Sequence, residues 1–320
     1  MVNLKDAVLE ALHRGPVSGP ALARELGVSR AAVWKAVEAL RREGYTIEGG
    51  PRRGYVLAKH DLLSPYEIRR GLGTAVLGRE VACLEEVDST NDLAKARAAE
   101  GAAEGLVVVA ARQMGGKGRL GRAWASPEGG VWLSVLLRPR LAPERAPVLA
   151  LAAGVAVARS LKGLYGLDAR LKWPNDVLVG RKKVSGILTE MGAELGRLDY
   201  VVVGVGINAD FGLEALPVDL GGKVTTLREE VGGPISRLAL IRRLLEELER
   251  AYEEALELEL LDEYKALSAT LGRRVRVVTG GATLEGTAVD VDRDGALIIE
   301  EGDGLVRAVY GECIHLDTAP

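Results

Sequence analysis

The sequence predicts an α+β protein built from three consecutive segments, and three patterns carry that prediction. Residues 1–60 place apolar side chains at helical spacing and finish on two short strand-like runs. Residues 61–268 repeat apolar strand-like runs with long helical stretches between them. Residues 269–320 alternate apolar and polar positions in short runs broken by Gly and Asp. The runs of the middle segment lie too close together for strict βαβ alternation, so a mixed sheet with helices packed on it is expected, not a doubly wound one. A chain of 320 residues with 48% hydrophobic content has material for two or three domains and is not globally disordered.

In the first segment, "SGPALARELGVSRAAVWKAVEALRREGY" sets Leu22 and Leu26 on one helical face and turns at Gly27. Ser29 is placed to cap the next helix, which buries Val33, Ala36, Val37 and Leu40. This is a helix-turn-helix layout, with Arg30, Ala31, Trp34 and Lys35 facing outward at the start of its second helix. Side chains there can meet base edges and phosphates in a DNA major groove. "GYTIEGGPRRGYVL" then reads as a hairpin, a wing with Arg52 and Arg53 at its tip. The competing reading is a small helical interaction domain with a basic tip; helix spacing, turn glycine and wing together favour DNA.

In the middle segment, "GLVVVAARQ", "GGVWLSVLLRP", "ARLKWPNDVLV", "KKVSGILTEM" and "YVVVGVGINA" read as strands, and 143–164 and 235–266 as helices. The second helical stretch is apolar at Leu238, Ile241, Leu245, Leu248 and Tyr252. The tail runs through "RRVRVV", "LEGTAVDVD", "ALIIEE" and "LVRAVYGEC", which predict a small β-barrel or sandwich with no evident chemistry of its own.

Composition narrows the function. Net charge is −3, which signals neither nucleic acid nor membrane for the whole chain, yet residues 1–58 carry nine Lys or Arg against six Asp or Glu. The two cysteines, Cys83 and Cys313, form no CxxC, and no signal peptide is evident, so a reduced, cytoplasmic protein is expected. Three scattered histidines predict no dedicated metal site. The apolar run 148–158 is short of the ~20 residues a membrane span needs and reads as a buried helix. Amides are scarce: one Gln, Gln113, and four Asn, a bias seen in heat-adapted chains. Where such a chain keeps an amide, a hydrogen-bonding need is the natural reason.

Three of those Asn and the Gln fall in four polar islands at the ends of apolar runs: "DSTND" (88–92), "QMGGKGRLGRAWASPEGG" (113–130), "KWPND" with "KKVSGIL" (172–188), and "GVGIN" (204–208). That coincidence favours one shared site. Ser89 or Thr90 can cap a helix, and whether their hydroxyls and Asn91 also face a ligand is open. The loop carries Gly115, Gly116, Gly118 and Gly121 among Lys117, Arg119 and Arg122, ahead of Trp124. It is neither a Walker A sequence nor a GxGxxG opening a helix, but it could close over an anion; the alternative is a plain flexible turn. Pro174 and Asn175 make a turn that sets Lys172 and Asp176 on either side. Lys182 reads as solvated surface, whereas Lys183, beside an apolar strand containing Gly186 and Ile187, reads as pointing inward and needing a charged partner. Gly204 and Gly206 interrupt a buried strand near Asn208, marking either a bulge or close ligand approach. A cationic, glycine-rich site without a metal cluster or a Ser-His-Asp set suits activation of a carboxylate as an acyl-adenylate.

At these residues the chain resembles the biotin–protein ligase and biotin operon repressor family, in its long form with an N-terminal winged helix. "SRAAVWKAVEALRREGY" with "PRRGYVL" is similar to the family's DNA-binding domain, and "DSTN", "GKGRLGRAWASPEGG", "KWPNDV", "KKVSGIL" and "GVGIN" match its catalytic motifs in order. The resemblance implies a winged helix at 1–60, a catalytic domain of the biotin/lipoate ligase type at 61–268, and an SH3-like domain at 269–320. It implies biotin and ATP with Mg²⁺ as substrates, biotinyl-5′-AMP as intermediate, and a lysine of the biotin carboxyl carrier protein as acceptor. It further implies operator DNA as a partner and a homodimer when the adenylate is bound, with no membrane. Ser89, Thr90 and Gln113 would hold the biotin head group, Lys117 to Arg119 would order over the ligand, and Gly186 and Gly204 would allow close backbone approach. Lys183, with Arg119 and Asp176, would act in catalysis, and Asn208 would lie near the nucleotide. Gly115, Arg122, Trp124, Lys172, Asn175, Ile187 and Gly206 complete the candidate binding set. The family's loop reads GRGRxGR, so Lys117 stands where arginine is usual; loss of the planar fork predicts a weaker hold on the adenylate. In 219–227, where some repressors have an aromatic against adenine, none is present. The rivals are a lipoate–protein ligase, which shares the catalytic fold, and a metabolite-sensing transcription factor without turnover.

Overall fold

The computed structural model describes residues 3–50, 54–58, 61–194, 197–302 and 304–316. The chain divides into two compact units, residues 1–67 and 68–320.

In the first unit, α1 (Leu4–Arg14), α2 (Gly19–Glu25) and α3 (Arg30–Arg42) precede an antiparallel hairpin of β1 (Ile47–Gly50) and β2 (Gly54–Leu57). Each helix starts on a side-chain cap: Asn3, Ser18 and Ser29 accept from Lys5, Ala21 and Ala32 N–H groups. Gly27 takes φ 66°, the left-handed turn between α2 and α3 that a side chain would resist. Val8, Leu12, Leu22, Val33, Val37 and Leu40 form the core with Tyr45, just ahead of the hairpin, and Tyr55 of β2. The Arg41 guanidinium donates to the carbonyls of Ile47 and Gly49, fixing the base of the wing to α3. The short helix α4 (Pro65–Arg69) follows.

The second unit contains a seven-stranded mixed sheet. Its strands are β3 (Val81–Val87), β4 (Val107–Gln113), β5 (Val131–Leu137), β6 (Ala169–Lys172), β7 (Asp176–Val179), β8 (Lys182–Glu194) and β9 (Arg197–Ile207), in the order β3-β4-β5-β9-β8-β7-β6. Only β3 and β4 pair in parallel, through the crossover helix α5 (Thr90–Ala99). Val108, Leu136 and Val202 lie under Ala94 and Ala98 of α5. By strand alternation Gly204 and Gly206 share that face, and Gly186 stands directly opposite Gly206. The reverse face takes α6 (Val148–Tyr165), where Leu171 packs beneath Gly154. Among the described residues, only the helical segment 143–165 that contains α6 is long and apolar enough to cross a membrane; 67% of its most apolar window is buried inside the protein. Beyond the sheet follow α7 (Leu227–Val231), α8 (Arg237–Leu256) and α9 (Leu261–Leu267).

The tail forms a five-stranded antiparallel sheet of β10 (Arg274–Val278), β11 (Thr283–Val291), β12 (Leu297–Glu301), β13 (Gly304–Ala308) and β14 (Glu312–His315), ordered β13-β12-β11-β10-β14.

Several details differ from the sequence reading. The stretch 235–266 is two helices, broken where Leu258 adopts φ 66° and Leu260 turns into the core. "LVRAVYGEC" is two strands, parted at Gly311 with φ 143°. Strand β3 escaped notice because "VACLEEV" at a sheet edge is only half-buried and breaks alternation.

Candidate active site

The four polar islands meet at one cavity of about 290 Å³, near the lower end of the ~300–1,000 Å³ usual for small-molecule sites. Ser89, Thr90 and Asn91 enter it from the start of α5, and Gln113 from the end of β4. Lys117, Gly118, Arg119, Arg122 and Trp124 come from the glycine-rich loop. Lys172, Asn175 and Asp176 come from the β6–β7 hairpin, Lys183, Gly186 and Ile187 from β8, and Gly204, Gly206 and Asn208 from β9 and its end. Gly115 is the exception: it lies outside the lining, its N–H donating to the Asp88 carbonyl at 2.8 Å.

One wall is a closed hydrogen-bond network. Gln113 Oε1 accepts from the Thr90 N–H at 2.8 Å and its hydroxyl at 3.0 Å, while Gln113 Nε2 donates to Ser126 at 2.8 Å. The buried Ser134 hydroxyl lies 2.7 Å from Thr90 Oγ1 and 2.6 Å from Asn91 Oδ1. Asn91 Nδ2 donates to Leu188 O and to Glu190. Ser89 also caps α5, its hydroxyl accepting from the Asp92 N–H. The only Gln and the first buried Asn therefore fix one polar wall, which is the need that their retention pointed to.

The opposite wall carries charge. The β7–β8 pairing slips by one residue between Val177 and Leu178, so Lys183 faces Leu178 while Gly186 faces Asp176. This bulge turns Lys183 onto the same face as Asp176 and Gly186. Its Nζ lies 2.6 Å from Asp176 Oδ1 and 4.9 Å from the centre of the Trp124 ring. The backbone of Lys183 is also clamped, donating to Lys223 O and accepting from the Thr225 N–H, both at 2.9 Å. The partner that an inward lysine requires is thus Asp176.

Gly204 and Gly206 sit in unbroken pairing with both neighbouring strands, so they are not a bulge. They are bare for another reason: a Cβ on Gly204 would come 2.2 Å from Asn91 Oδ1, and one on Gly206 would come 2.7 Å from Trp124 Nε1. That indole N–H is buried and has no hydrogen-bond partner among the described residues.

The loop's cations have distinct partners. Lys117 Nζ reaches Asp92 at 2.6 Å, Arg122 pairs with Glu312, and Arg119 donates to Asn175 Oδ1 at 3.2 Å. Burial works to raise the Asp92 carboxyl, but hydrogen bonds from Lys117 and Lys95 outweigh it and hold the pKa below the ordinary value. Arg122 does the same for Glu312 against partial burial. Burial lowers the pKa of Arg119, with Asp176 and Glu312 opposing.

Sequence reasoning missed the tail's part in this site. Glu312 and Cys313 of β14 line the cavity, so the segment read as carrying no evident chemistry contributes a carboxylate and a thiol. No local pattern marks them; they reach the cavity where the tail packs against the glycine-rich loop, with Glu312 paired to Arg122. In place of an aromatic in 219–227, Leu216, Leu220 and Val224 line the cavity beside Trp132.

In the first unit, Arg30, Ala31 and Lys35 are exposed on α3, and Trp34 is 47% exposed. Arg52 and Arg53 lie outside the described residues.

Comparison with known proteins agrees with this architecture. Residues 83–208 match the biotin/lipoate A/B protein ligase family, residues 5–56 an HTH domain, and residues 270–316 the biotin protein ligase C-terminal domain. The bifunctional ligase/repressor BirA of Bacillus subtilis (strain 168) is 38% identical over 307 residues, covering 94% of each chain. The chain belongs to the bifunctional biotin ligase/repressor family. BirA of Escherichia coli (strain K12) is 33% identical over 308 residues, 94% of this chain and 93% of that one. The biotin protein ligase of Aquifex aeolicus, solved in complex with biotin and ATP, superposes with a TM-score of 0.63 at 30% identity, covering 74% of this chain and 98% of that one. All four polar islands of this ligase lie within or beside the matched catalytic region, and Glu312 within the matched C-terminal one.

Proposed function

We propose that the cavity converts biotin and Mg·ATP to biotinyl-5′-AMP and pyrophosphate, and then passes the biotinyl group to a lysine of the biotin carboxyl carrier protein. The observation that carries this reading is the pairing, in one cavity, of a neutral amide–hydroxyl wall with a cationic one. Ser89, Thr90 and Gln113 present donors and acceptors suited to a neutral cyclic urea. Lys183, Arg119 and Lys172 supply positive charge where a carboxylate must approach a phosphate. A biotin carboxylate oxygen attacks the α-phosphorus, the bond to the pyrophosphate oxygen breaks, and Lys183 stabilises charge developing on the phosphate oxygens. In the second step the carrier lysine attacks the acyl carbon and AMP leaves. Asp176 orients Lys183, Trp124 lines the cavity beside Lys183 with its buried indole N–H unpartnered among the described residues, and Asn175, Ile187, Gly206 and Asn208 shape the rest of the cavity.

The N-terminal unit is the repressor half, with Ser29, Arg30, Ala31, Trp34 and Lys35 on α3 and its cap, and Arg52 and Arg53 of the wing sequence, as the residues for operator DNA, and the adenylate-bound chain a homodimer in the cytoplasm. The five-stranded tail is of the SH3-like kind.

The test is pyrophosphate release from Mg·ATP with biotin, lipoate or octanoate, beside a Lys183→Ala control. Release with biotin alone, reduced at least 100-fold in the control, is the expected result. Turnover of lipoate instead, or tight biotin binding without release, would replace this reading by the lipoate ligase or the sensor.

A further inference from the structure

We propose that Asp92 is a positioning residue for the glycine-rich loop, its carboxylate tethering Lys117 so that Arg119 is the loop cation left to meet the ligand's phosphate. This rests on the adenylate-forming reading and refines which loop residue serves the anion.

The loop offers three cations, but they are not equivalent. Lys117 is 2.6 Å from Asp92, and Arg122 is paired with Glu312. Among the described residues no carboxylate lies within ion-pair distance of Arg119, whose partner is the neutral amide of Asn175. Two of the three charges are therefore already compensated inside the chain. An acyl-adenylate carries a single phosphate charge, which one guanidinium matches with paired hydrogen bonds.

Asp92 is itself anchored. Its other carboxylate oxygen lies 3.0 Å from Lys95 Nζ, one turn along α5. Lys95 pairs with Glu190 of β8, and Glu190 accepts from Asn91 Nδ2 at 2.8 Å. Lys117 is thus tied to α5 and, through it, to the sheet that carries the polar wall. The residue type fits the role. An ammonium is a point charge that suits one carboxylate oxygen, whereas a guanidinium fork suits a phosphate face. Lysine at 117 then marks a residue that faces a carboxylate.

An acidic residue in the first turn of a helix also has a plain alternative role, favourable interaction with the helix dipole. The experiment separates the two. Hydrogen exchange of residues 114–123 is measured in the ligand-free full chain, and release of biotinyl-AMP is followed by rapid mixing. Asp92→Asn should speed both by about two- to five-fold, the range for a partly exposed ion pair. Lys117→Met should do the same, the double variant should exceed neither single one, and Asp92→Glu should restore slow exchange. Lys117→Arg should leave release within about two-fold of the parent, because the tether persists; this replaces the weaker hold on the adenylate that lysine at this position predicts from sequence alone. Unchanged loop exchange in Asp92→Asn, or effects that multiply in the double variant, would overturn the tether and leave only the helix-dipole role. A parent chain that forms no adenylate would instead refute the ligase reading, and the tether would still be decided by exchange in the ligand-free protein.

Discussion

Replacing Gly204 by alanine should destabilise the catalytic unit through one identifiable side chain. The new methyl would sit 2.2 Å from Asn91 Oδ1 and 2.9 Å from its Cγ, so the amide must retreat by roughly 1 Å to reach ordinary contact. Strand β9 cannot yield instead, because it is paired on both sides, Gly204 with Ser134 and with Leu188. Asn91 is 3% exposed and makes three hydrogen bonds, with Ser134, Leu188 O and the Glu190 carboxylate. Neutral bonds are worth about 0.5–1.5 kcal/mol and one to a charged group about 1.5–3 kcal/mol. Partial loss of the set gives a cost of about 2–4 kcal/mol. For a unit of this size each kcal/mol lowers Tm by about 2–4 °C, so a fall of about 5–15 °C is expected. Scanning calorimetry of the full chain, reading the transition that biotin shifts upward, measures it. The decisive arm is the pair with Asn91→Ala: once the amide is gone, Gly204→Ala should cost less than half as much. A Tm change below about 2 °C, or costs that simply add, would show that the close approach of Asn91 to β9 is not what keeps residue 204 bare.

The neighbouring Gly206→Ala should act mainly on ligand binding, because its methyl meets the Trp124 indole that lines the cavity and not the hydrogen-bonded Asn91 amide; calorimetric titration should show biotin affinity falling at least 10-fold with Tm within about 4 °C of the parent. Cys83 and Cys313 have thiols pushed up to about 12 by burial, so a thiol reagent at pH 8 should label neither in the folded protein and both after unfolding. Rapid labelling of Cys313 in the native chain would mean that β14 leaves the cavity readily. Trp34→Ala should abolish sequence-specific DNA retardation while leaving pyrophosphate release unchanged, since α3 belongs to the other compact unit; a loss of both would assign Trp34 to the stability of the chain.

Much of this protein was legible in its residues alone. Helix starts followed from local chemistry, as at Ser29 and Ser89, where a hydroxyl satisfies an N–H that the first turn leaves open. The five apolar runs cover all the central strands but β3, one run dividing into β6 and β7 at the Pro174–Asn175 turn, and the retained amides pointed to one site because each answers a hydrogen-bonding need. Other features had no local signature. That Lys183 faces Asp176 depends on a one-residue slip between β7 and β8, and a slip reverses which face a side chain takes. That Gly204 is bare depends on Asn91, more than a hundred positions away. Lys117 meets Asp92 only after β3 and β4 pair, and Arg122 meets Glu312 only when the tail sheet packs beside the loop. The sequence by itself determined which residues were available for the chemistry, because propensity, capping and periodicity act over a few neighbours. Only the tertiary structure decided which of them face one another, because register and long-range pairing are settled by packing the whole sheet at once.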